Sequence, residues 1–191
     1  MLYCLVVPGS RGELETFVTL VLADQAPALA EAHDELYPER VSEAIPLSVT
    51  LLYPFVARDA LADGHLETLR EFFTAQPSFA FELTHVAEFP GAVMYAVPEP
   101  DDALRATLRA LWALFPEHPP YGRIGPGPPP HATLARLESD PDSMRNAVAK
   151  RVEELLPARF DAHEATLMEE HEPNRWRVRT TFPFAGPDYS G

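Results

Sequence analysis

Hydrophobic positions along the chain follow two spacings, one typical of β-strands and the other typical of amphipathic helices. Short runs rich in β-branched and aromatic residues predict strands, and apolar residues spaced three and four apart predict helices between them. The predicted strands cover residues 2–7, 49–53, 79–89, 92–97, 132–137, 160–169 and 176–182. The predicted helices cover residues 13–23, 28–37, 64–76, 101–115 and 141–156.

The order of these elements predicts an α+β fold. Helices alternate with strands through the chain, and the second half of the chain repeats much of the order of the first. We therefore expect one domain over residues 1–191, made of two lobes around a central cleft. The segment 116–130 is too rich in proline and glycine to form an element, and it leads to His131. Asp140 precedes the last helix and is expected to cap it.

Composition and charge narrow the class of protein. A chain of 191 residues, 46% of them hydrophobic, has enough apolar side chains for an ordered core, which excludes a disordered chain. The net charge of −14 argues against charge-driven binding of long DNA or RNA. A local basic pocket can still hold a small anion.

Cysteine content and apolar runs bear on location and cofactors. Cys4 is the only cysteine, so no internal disulfide forms and a cytoplasmic location is the natural expectation. Within the predicted strand 2–7, Cys4 is expected to be a packed core thiol. The N-terminus lacks the pattern of a signal peptide, and no run approaches the ~18 apolar residues of a membrane span. Zinc-ligand spacing, a glycine-rich phosphate loop and a dinucleotide fingerprint are absent from the sequence, so we expect no cofactor.

A short phrase occurs almost twice, 83 residues apart. Ser48-Val49-Thr50-Leu51 and His131-Ala132-Thr133-Leu134 each follow proline and each open an apolar run that is typical of a strand. Because side chains i and i+2 share a face of a strand, Ser48 projects with Thr50 and His131 projects with Thr133. Two strands that each offered His and Thr to one cleft would make a two-sided phosphodiester site. In this chain one of the two histidines is a serine.

These phrases resemble the motifs of the two-histidine (2H) phosphoesterases, in which His-x-Thr-x occurs twice. The segment 46–55 is most similar to the first motif region of the branch of bacterial RNA 2′-5′ ligase-like proteins, and 130–136 is similar to the second. Similar phrases occur at 89–93, 119–122 and 175–178, so the resemblance covers nearly the whole chain. It implies a bilobal fold of two pseudo-symmetric α/β lobes, with antiparallel-rich sheets that flank a cleft and with the motifs on neighbouring central strands.

The resemblance also implies the metal-independent reaction of a cyclic phosphodiesterase, on a 2′,3′-cyclic phosphate or a 2′-5′ phosphodiester. One neutral imidazole takes a proton from the attacking group, and the other, protonated, gives one to the departing oxygen. Threonine hydroxyls donate hydrogen bonds to the phosphoryl oxygens. His131, Thr133 and Thr50 match this pattern, whereas Ser48 departs from it. A serine can hydrogen-bond a phosphate, but loss of a proton-transfer partner costs about 10²–10⁴ in rate.

Two further residues are candidates for substrate binding. Tyr121, in the loop before His131, could stack on a base or ribose, or could cap the loop onto the core. Arg136 could pair with a phosphate, although its odd separation from His131 places it on the other face of a regular strand. Tyr53 is likewise an odd number of residues from Ser48, so a regular strand places it on the face opposite Ser48.

Another histidine could take the place of the missing imidazole. His85 lies in a strand beside the expected cleft, and His118 lies in the proline-rich loop. His33 is expected on the solvated surface of an acidic helix. Scattered surface or structural histidines are the plainer interpretation of all three.

Three hypotheses for function remain open. The first is a 2H phosphoesterase-like protein that acts on or binds a 2′,3′-cyclic phosphate or 2′-5′ phosphodiester, with reduced or altered catalysis because of Ser48. The second is a non-catalytic nucleotide- or phosphate-binding module, and the third is a structural or partner-binding domain. The expected partner is a small phosphodiester, a cyclic nucleotide or an RNA end, without a membrane, and the chain is expected to be a monomer.

Overall fold

The computed structural model describes residues 13–122, 125, 127–137 and 140–186. The predicted strand at 2–7, including Cys4, lies outside these residues. The strands are β1 (Thr16–Val21), β2 (Ser48–Leu52), β3 (Phe79–Phe89), β4 (Val93–Glu99), β5 (Ala132–Arg136), β6 (Ala158–Ala162), β7 (Glu164–Glu172) and β8 (Arg175–Pro183). The α-helices are α1 (Pro27–Leu36), α2 (Pro38–Glu43), α3 (Asp63–Ala75), α4 (Asp102–Leu114) and α5 (Pro141–Val152). Short 3₁₀ turns lie at Ala23–Gln25, Arg58–Ala60, Pro120–Gly122 and Glu153–Leu155.

The eight strands of the described residues form one sheet, which curls into a half-barrel, in the order β6-β3-β4-β5-β2-β1-β7-β8 with antiparallel neighbours. The two motif strands, β2 and β5, are adjacent at its centre, as the resemblance implies. They are joined through the single residue pair Val49–Ala132, so the sheet divides naturally into two four-stranded halves. The α+β fold expected from the pattern is confirmed.

The two halves of the sheet are not consecutive halves of the chain. Strands β1 and β2 pair with β7 and β8 from the C-terminal part, whereas β3, β4, β5 and β6 make the other half. The main hydrophobic core lies on one face of the sheet, where α1, α3, α4 and α5 contribute buried side chains. None of the helices in the described residues has the length and apolar character that a membrane crossing requires.

Two of the predicted elements are wrong. The segment predicted as a helix at 13–23 contains strand β1, which lies between β2 and β7. Thr16–Val21 is buried on both faces, so no polar alternation marks it as a strand, and its apolar spacing also fits a helix. Its content of β-branched residues was the better guide.

The segment predicted as one strand at 160–169 is divided at His163. β6 ends at Ala162 and pairs with β3, whereas β7 begins at Glu164 and pairs with β1 and β8. The chain therefore passes from the edge strand of one half, β6, to an inner strand of the other half, β7. By contrast, Asp140 accepts a hydrogen bond from the Ser143 amide at 3.2 Å, which confirms the predicted cap of α5.

Candidate functional site

The register of the two central strands brings the repeated phrases together. Val49 pairs with Ala132, and both are fully buried in the main core. In an antiparallel pair the neighbours on either side then face each other, so Thr50 lies opposite His131 and Ser48 lies opposite Thr133. We call the surface that carries these four residues the cleft face. It is the face of the sheet opposite the core side chains of Val49 and Ala132.

A β-bulge follows the threonine in each motif strand. Thr19 pairs with Thr50 but Val18 pairs with Leu52, so Leu51 is an extra residue on β2. The same irregularity lets Leu51 and Leu52 both pack in the core, each only 1% exposed. A bulge places two residues of one strand opposite one residue of its neighbour, so it reverses the alternation of faces beyond it.

The second motif strand has the matching bulge. Tyr95 pairs with Thr133 but Met94 pairs with Ala135, which makes Leu134 the extra residue. Leu134 and Ala135 are both fully buried in the core, whereas Arg136 pairs with Val93 and is half-buried. The expectation that Arg136 lies on the face opposite His131 is therefore wrong, because the strand is not regular.

Tyr53 is displaced to the cleft face in the same way. It packs with Phe17, Ile45, Met168 and Trp176 in a small aromatic cluster separate from the main core. Tyr53 follows Ser48 by five residues, as Arg136 follows His131. The two strands thus present equivalent sets of side chains around the Val49–Ala132 pair.

The imidazole of His131 is held in one orientation and one tautomer. Its Nδ1 lies 2.9 Å from the carbonyl oxygen of Pro129, and because a carbonyl only accepts, Nδ1 carries the proton. Nε2 is then the basic nitrogen of the neutral ring. The rings of Phe89 and Tyr95 pack edge-on against it, with centroid distances of 5.1 and 5.4 Å.

Burial decides the charge of this imidazole. His131 is only 7% exposed, and burial lowers its pKa below the usual 6.5, although the bond to Pro129 acts in the opposite direction. The ring is therefore neutral at pH 7. A neutral imidazole with a fixed Nδ1–H can accept a proton at Nε2, which is the role of a general base.

Tyr121 reaches the same centre from the proline-rich loop. Its hydroxyl is hydrogen-bonded to Thr50, its backbone N–H donates to the carbonyl of Tyr53 at 2.6 Å, and its φ of 54° is left-handed. Burial raises the pKa of Tyr121 to about 12, so it is a neutral phenol at pH 7. Thr50, Tyr53, Tyr121 and His131 line a cavity of about 10 Å³, which is roughly the space of one water.

Two arginines lie along one rim of the cleft face. The guanidinium carbon of Arg136 is 5.6 Å from the ring centroid of Tyr37, and that of Arg40, in α2, is 5.2 Å from the same centroid. The positive charge of Arg40 also acts on the phenols of Tyr53 and Tyr121. Sequence reasoning missed Arg40 and Tyr37, since nothing in the helical pattern of 28–43 marks them as neighbours of β2 and β5.

A second rim, on the side of β3 and β4, is aromatic and adjoins Arg136 at the end of β5. Phe89 and Tyr95 stack with centroids 4.3 Å apart and form a second small cluster with Val93 on β3 and β4. Tyr95 pairs directly with Thr133 across the strands, so it is a further site neighbour that the sequence did not single out. The general resemblance at 89–93 was the only signal that could have pointed to this rim.

No other histidine of the described residues lines the cavity with His131. His85 pairs with Val97 on the cleft side of β3, but two strands lie between β3 and β2, which places His85 about 14 Å from β2, and its side chain is 57% exposed. His118 packs edge-on against the ring of Phe55. The expectation that His33 is a surface residue is wrong, because it is 3% exposed and packs near Tyr37.

Comparisons with known proteins agree on the fold. Structures similar to this chain include TT0787 of Thermus thermophilus, at 21% identity and a TM-score of 0.57, with 90% of this chain and 98% of that chain covered. E. coli LigT in apo form aligns at 17% identity and a TM-score of 0.58, covering 91% and 99%. LigT complexed with 3′-AMP aligns at 17% identity and a TM-score of 0.52, over 91% and 99%. A search of curated proteins gives no match.

The sequence also matches a family model directly. The model is that of the 2′-5′ RNA ligase superfamily, and the match runs over residues 21–174. This range includes both motif strands, the bulges that follow their threonines and the loop that carries Tyr121. The chain belongs to the 2′-5′ RNA ligase superfamily of 2H phosphoesterases.

Proposed function

We propose that this protein binds a 2′,3′-cyclic phosphate or a 2′-5′ phosphodiester, on a nucleotide or at an RNA end, and hydrolyses it slowly. The observation that carries the proposal is His131, a buried neutral imidazole with Nδ1 committed to Pro129, opposite Thr50 and beside Thr133. This set is half of a two-sided phosphodiester site. Membership of the superfamily makes phosphodiester chemistry the natural use of it.

Each residue then has a defined task. His131 takes a proton at Nε2 from a water, whose oxygen attacks phosphorus. Thr50 and Thr133 donate hydrogen bonds to the phosphoryl oxygens, where negative charge increases in the transition state. Arg136 offsets that charge from the Ser48 end of the site. The bond from phosphorus to the departing ester oxygen breaks, and that oxygen takes its proton from solvent next to Ser48.

A nucleotide-sized substrate agrees with the net charge of the chain and with the ligands found in similar solved structures. A net charge of −14 disfavours long nucleic acid, while Arg40 and Arg136 place two cations at the cleft rim. Solved structures of LigT contain 3′-AMP, ATP and phosphate, which supports a nucleotide or phosphate ligand here. Tyr121, at the His131 end, is placed to contact the sugar or base. The cytoplasmic location, the two-lobed domain and the monomeric state stay predictions.

The test compares wild type with His131→Ala and Ser48→His on 2′,3′-cyclic nucleotides and on RNA ending in a cyclic phosphate. We expect slow hydrolysis by wild type, a loss of about 10²–10⁴ in rate for His131→Ala, and a gain for Ser48→His, because a second imidazole can then protonate the departing oxygen. Fast wild-type turnover that His131→Ala leaves unchanged would show that this assignment of the site is wrong.

A non-catalytic binding module is the second candidate. The observation that favours it is Ser48 itself, which lacks a titratable group where the pattern has a proton donor. Tight binding of a 2′-nucleotide without any turnover over hours would establish it. In that case Thr50→Val and Thr133→Val would weaken binding, since each removes a hydroxyl donor to the phosphate.

A further inference from the structure

Arg40 and Tyr37 lie beside Arg136 but have no task in the phosphodiester chemistry, and we call the three residues the arginine rim. The Tyr37 ring is 2% exposed, so it is a fixed platform, and both guanidinium groups lie within cation–π distance of it, at 5.2 and 5.6 Å. Each cation is therefore held near the other. Two cations held close together attract a ligand with more than one negative charge more strongly than one cation does.

The rim runs along the site from end to end. Arg136 lies at the Ser48 end, since it follows Thr133 beyond the bulge and Thr133 faces Ser48. The charge of Arg40 acts on the phenols of Tyr53 and Tyr121, which lie at the His131 end. Both guanidinium groups thus lie on the Tyr37 side of the site, beside the centre at which a phosphate would sit between Thr50 and Thr133.

Arg40 retains donors for a ligand. It donates from Nη1 to Glu43 at 3.1 Å, in a pair three residues apart on α2, but a guanidinium has five N–H donors in a planar fork. Its side chain is 30% exposed, so a solute can reach it. The chain has 15 Lys and Arg against 29 Asp and Glu, so a second arginine at this rim is not a product of abundant basic residues.

We propose that Arg40 recognises a second phosphate group of the ligand, so that the site selects nucleotides that carry another phosphate besides the one held between Thr50 and Thr133. This inference rests on the proposed function, because it needs the first phosphate to be bound at the centre. Arg136 serves that first phosphate, and Tyr37 holds Arg40 at a set distance from it. The ligand class is a nucleoside bisphosphate or a nucleotide within a short oligonucleotide.

The experiment measures the equilibrium affinity of adenosine 2′-monophosphate and of adenosine 2′,5′-bisphosphate for four proteins. These are wild type, Arg40→Gln, Arg40→Lys and Arg70→Gln. Arg70→Gln is the matched control, since Arg70 is also an arginine paired with a glutamate three residues away on a helix, and its loss changes the net charge equally. Thermal unfolding verifies that each variant is folded.

We expect wild type and Arg70→Gln to bind the bisphosphate about tenfold more tightly than the monophosphate, as for one charge-assisted contact. Arg40→Gln should lose this ratio, because its affinity for the bisphosphate falls about tenfold further than its affinity for the monophosphate, and Arg40→Lys should keep part of the ratio because it keeps the charge. A ratio near one in wild type, or an unchanged ratio in Arg40→Gln, overturns the role of Arg40 and leaves the proposed function intact. Failure of both ligands to bind wild type overturns both.

Discussion

His131 and Ser48 occupy equivalent positions on their strands but offer different chemistry. His131 has a fixed tautomer, an apolar aromatic surround and a lowered pKa, so it is prepared to accept a proton at neutral pH. Ser48 offers a hydroxyl that neither accepts nor releases a proton in that range without help. Of these two positions, only His131 can therefore exchange a proton near pH 7.

The lowered pKa of His131 predicts the pH dependence of the reaction. Because the base must be unprotonated, kcat/KM should fall on the acid side only below pH 6.5, the ordinary pKa of histidine. Measurement of initial rates with 2′,3′-cyclic nucleotides from pH 4.5 to 8 tests this. An acid limb centred above pH 6.5 would contradict the assignment of His131 as the base.

The sequence could single out the residues of the two strands and Tyr121 of the loop, but not the residues of α1 and α2. One face carries Ser48, Thr50, His131 and Thr133, because alternate residues of a strand point to the same side. This spacing can be read directly from the sequence. Arg40 and Tyr37 come close to Arg136 only through tertiary packing of α1 and α2, which no local spacing reports.

At the scale of elements, the paired bulges control which side chains reach the cleft. In regular strands Tyr53 and Arg136 would point into the core, where an arginine without partners would be costly. The extra residues Leu51 and Leu134 turn both to the cleft face while they supply leucine to the core. Alternation alone gave the wrong face for Arg136 because a bulge has no reliable sequence signature.

Cysteine labelling tests the bulge in β5. In a Cys4→Ser background, single substitutions Thr133→Cys, Leu134→Cys, Ala135→Cys and Arg136→Cys are reacted with a thiol reagent under native conditions. We expect positions 133 and 136 to react and positions 134 and 135 to be protected, since the latter are 0% exposed. A regular strand would instead protect 134 and 136 alike, so equal protection of those two would refute the bulge.

At the scale of the whole molecule, elements distant in the chain complete each half of the sheet. β7 and β8 join β1 and β2, so the first motif strand depends on the C-terminal part of the chain. The alternation of helices and strands predicted the fold class. It could not predict that β7 and β8 join the half of the sheet that contains β1 and β2, because pairing partners are set by the global packing of the core. The division at His163 was hidden for the same reason.

Buried neutral histidines predict acid sensitivity of the folded state. Burial lowers the pKa of His33 and of His131 below the 6.5 that applies when unfolded, although Asp34 opposes this shift at His33 and Arg40 adds to it. The unfolded chain then binds more protons than the folded chain below pH 6.5. The contribution of these two histidines to the free energy of unfolding is therefore complete above pH 6.5, and it is lost as the pH decreases toward the folded pKa.

The contribution of His33 is measurable by urea unfolding at pH 7.5, 6.5, 5.5 and 5.0. We expect His33→Gln to flatten the decline of stability between pH 6.5 and 5.0, since it removes one group that the folded state keeps neutral. His163→Gln, at an exposed side chain, is the control and should retain the wild-type decline. Equal slopes for His33→Gln and wild type would show that His33 does not contribute.

The symmetric arrangement about the Val49–Ala132 pair has a consequence for the products. With an imidazole on each strand, either of the two ester oxygens of a bound phosphodiester could leave, because the two orientations of the ligand would be served alike. With His131 alone, water is activated from one end only, so the orientation of the ligand determines which bond breaks. A site with one imidazole should therefore be regioselective and yield one positional isomer of the phosphomonoester. The identity of the product, rather than the rate, would show this.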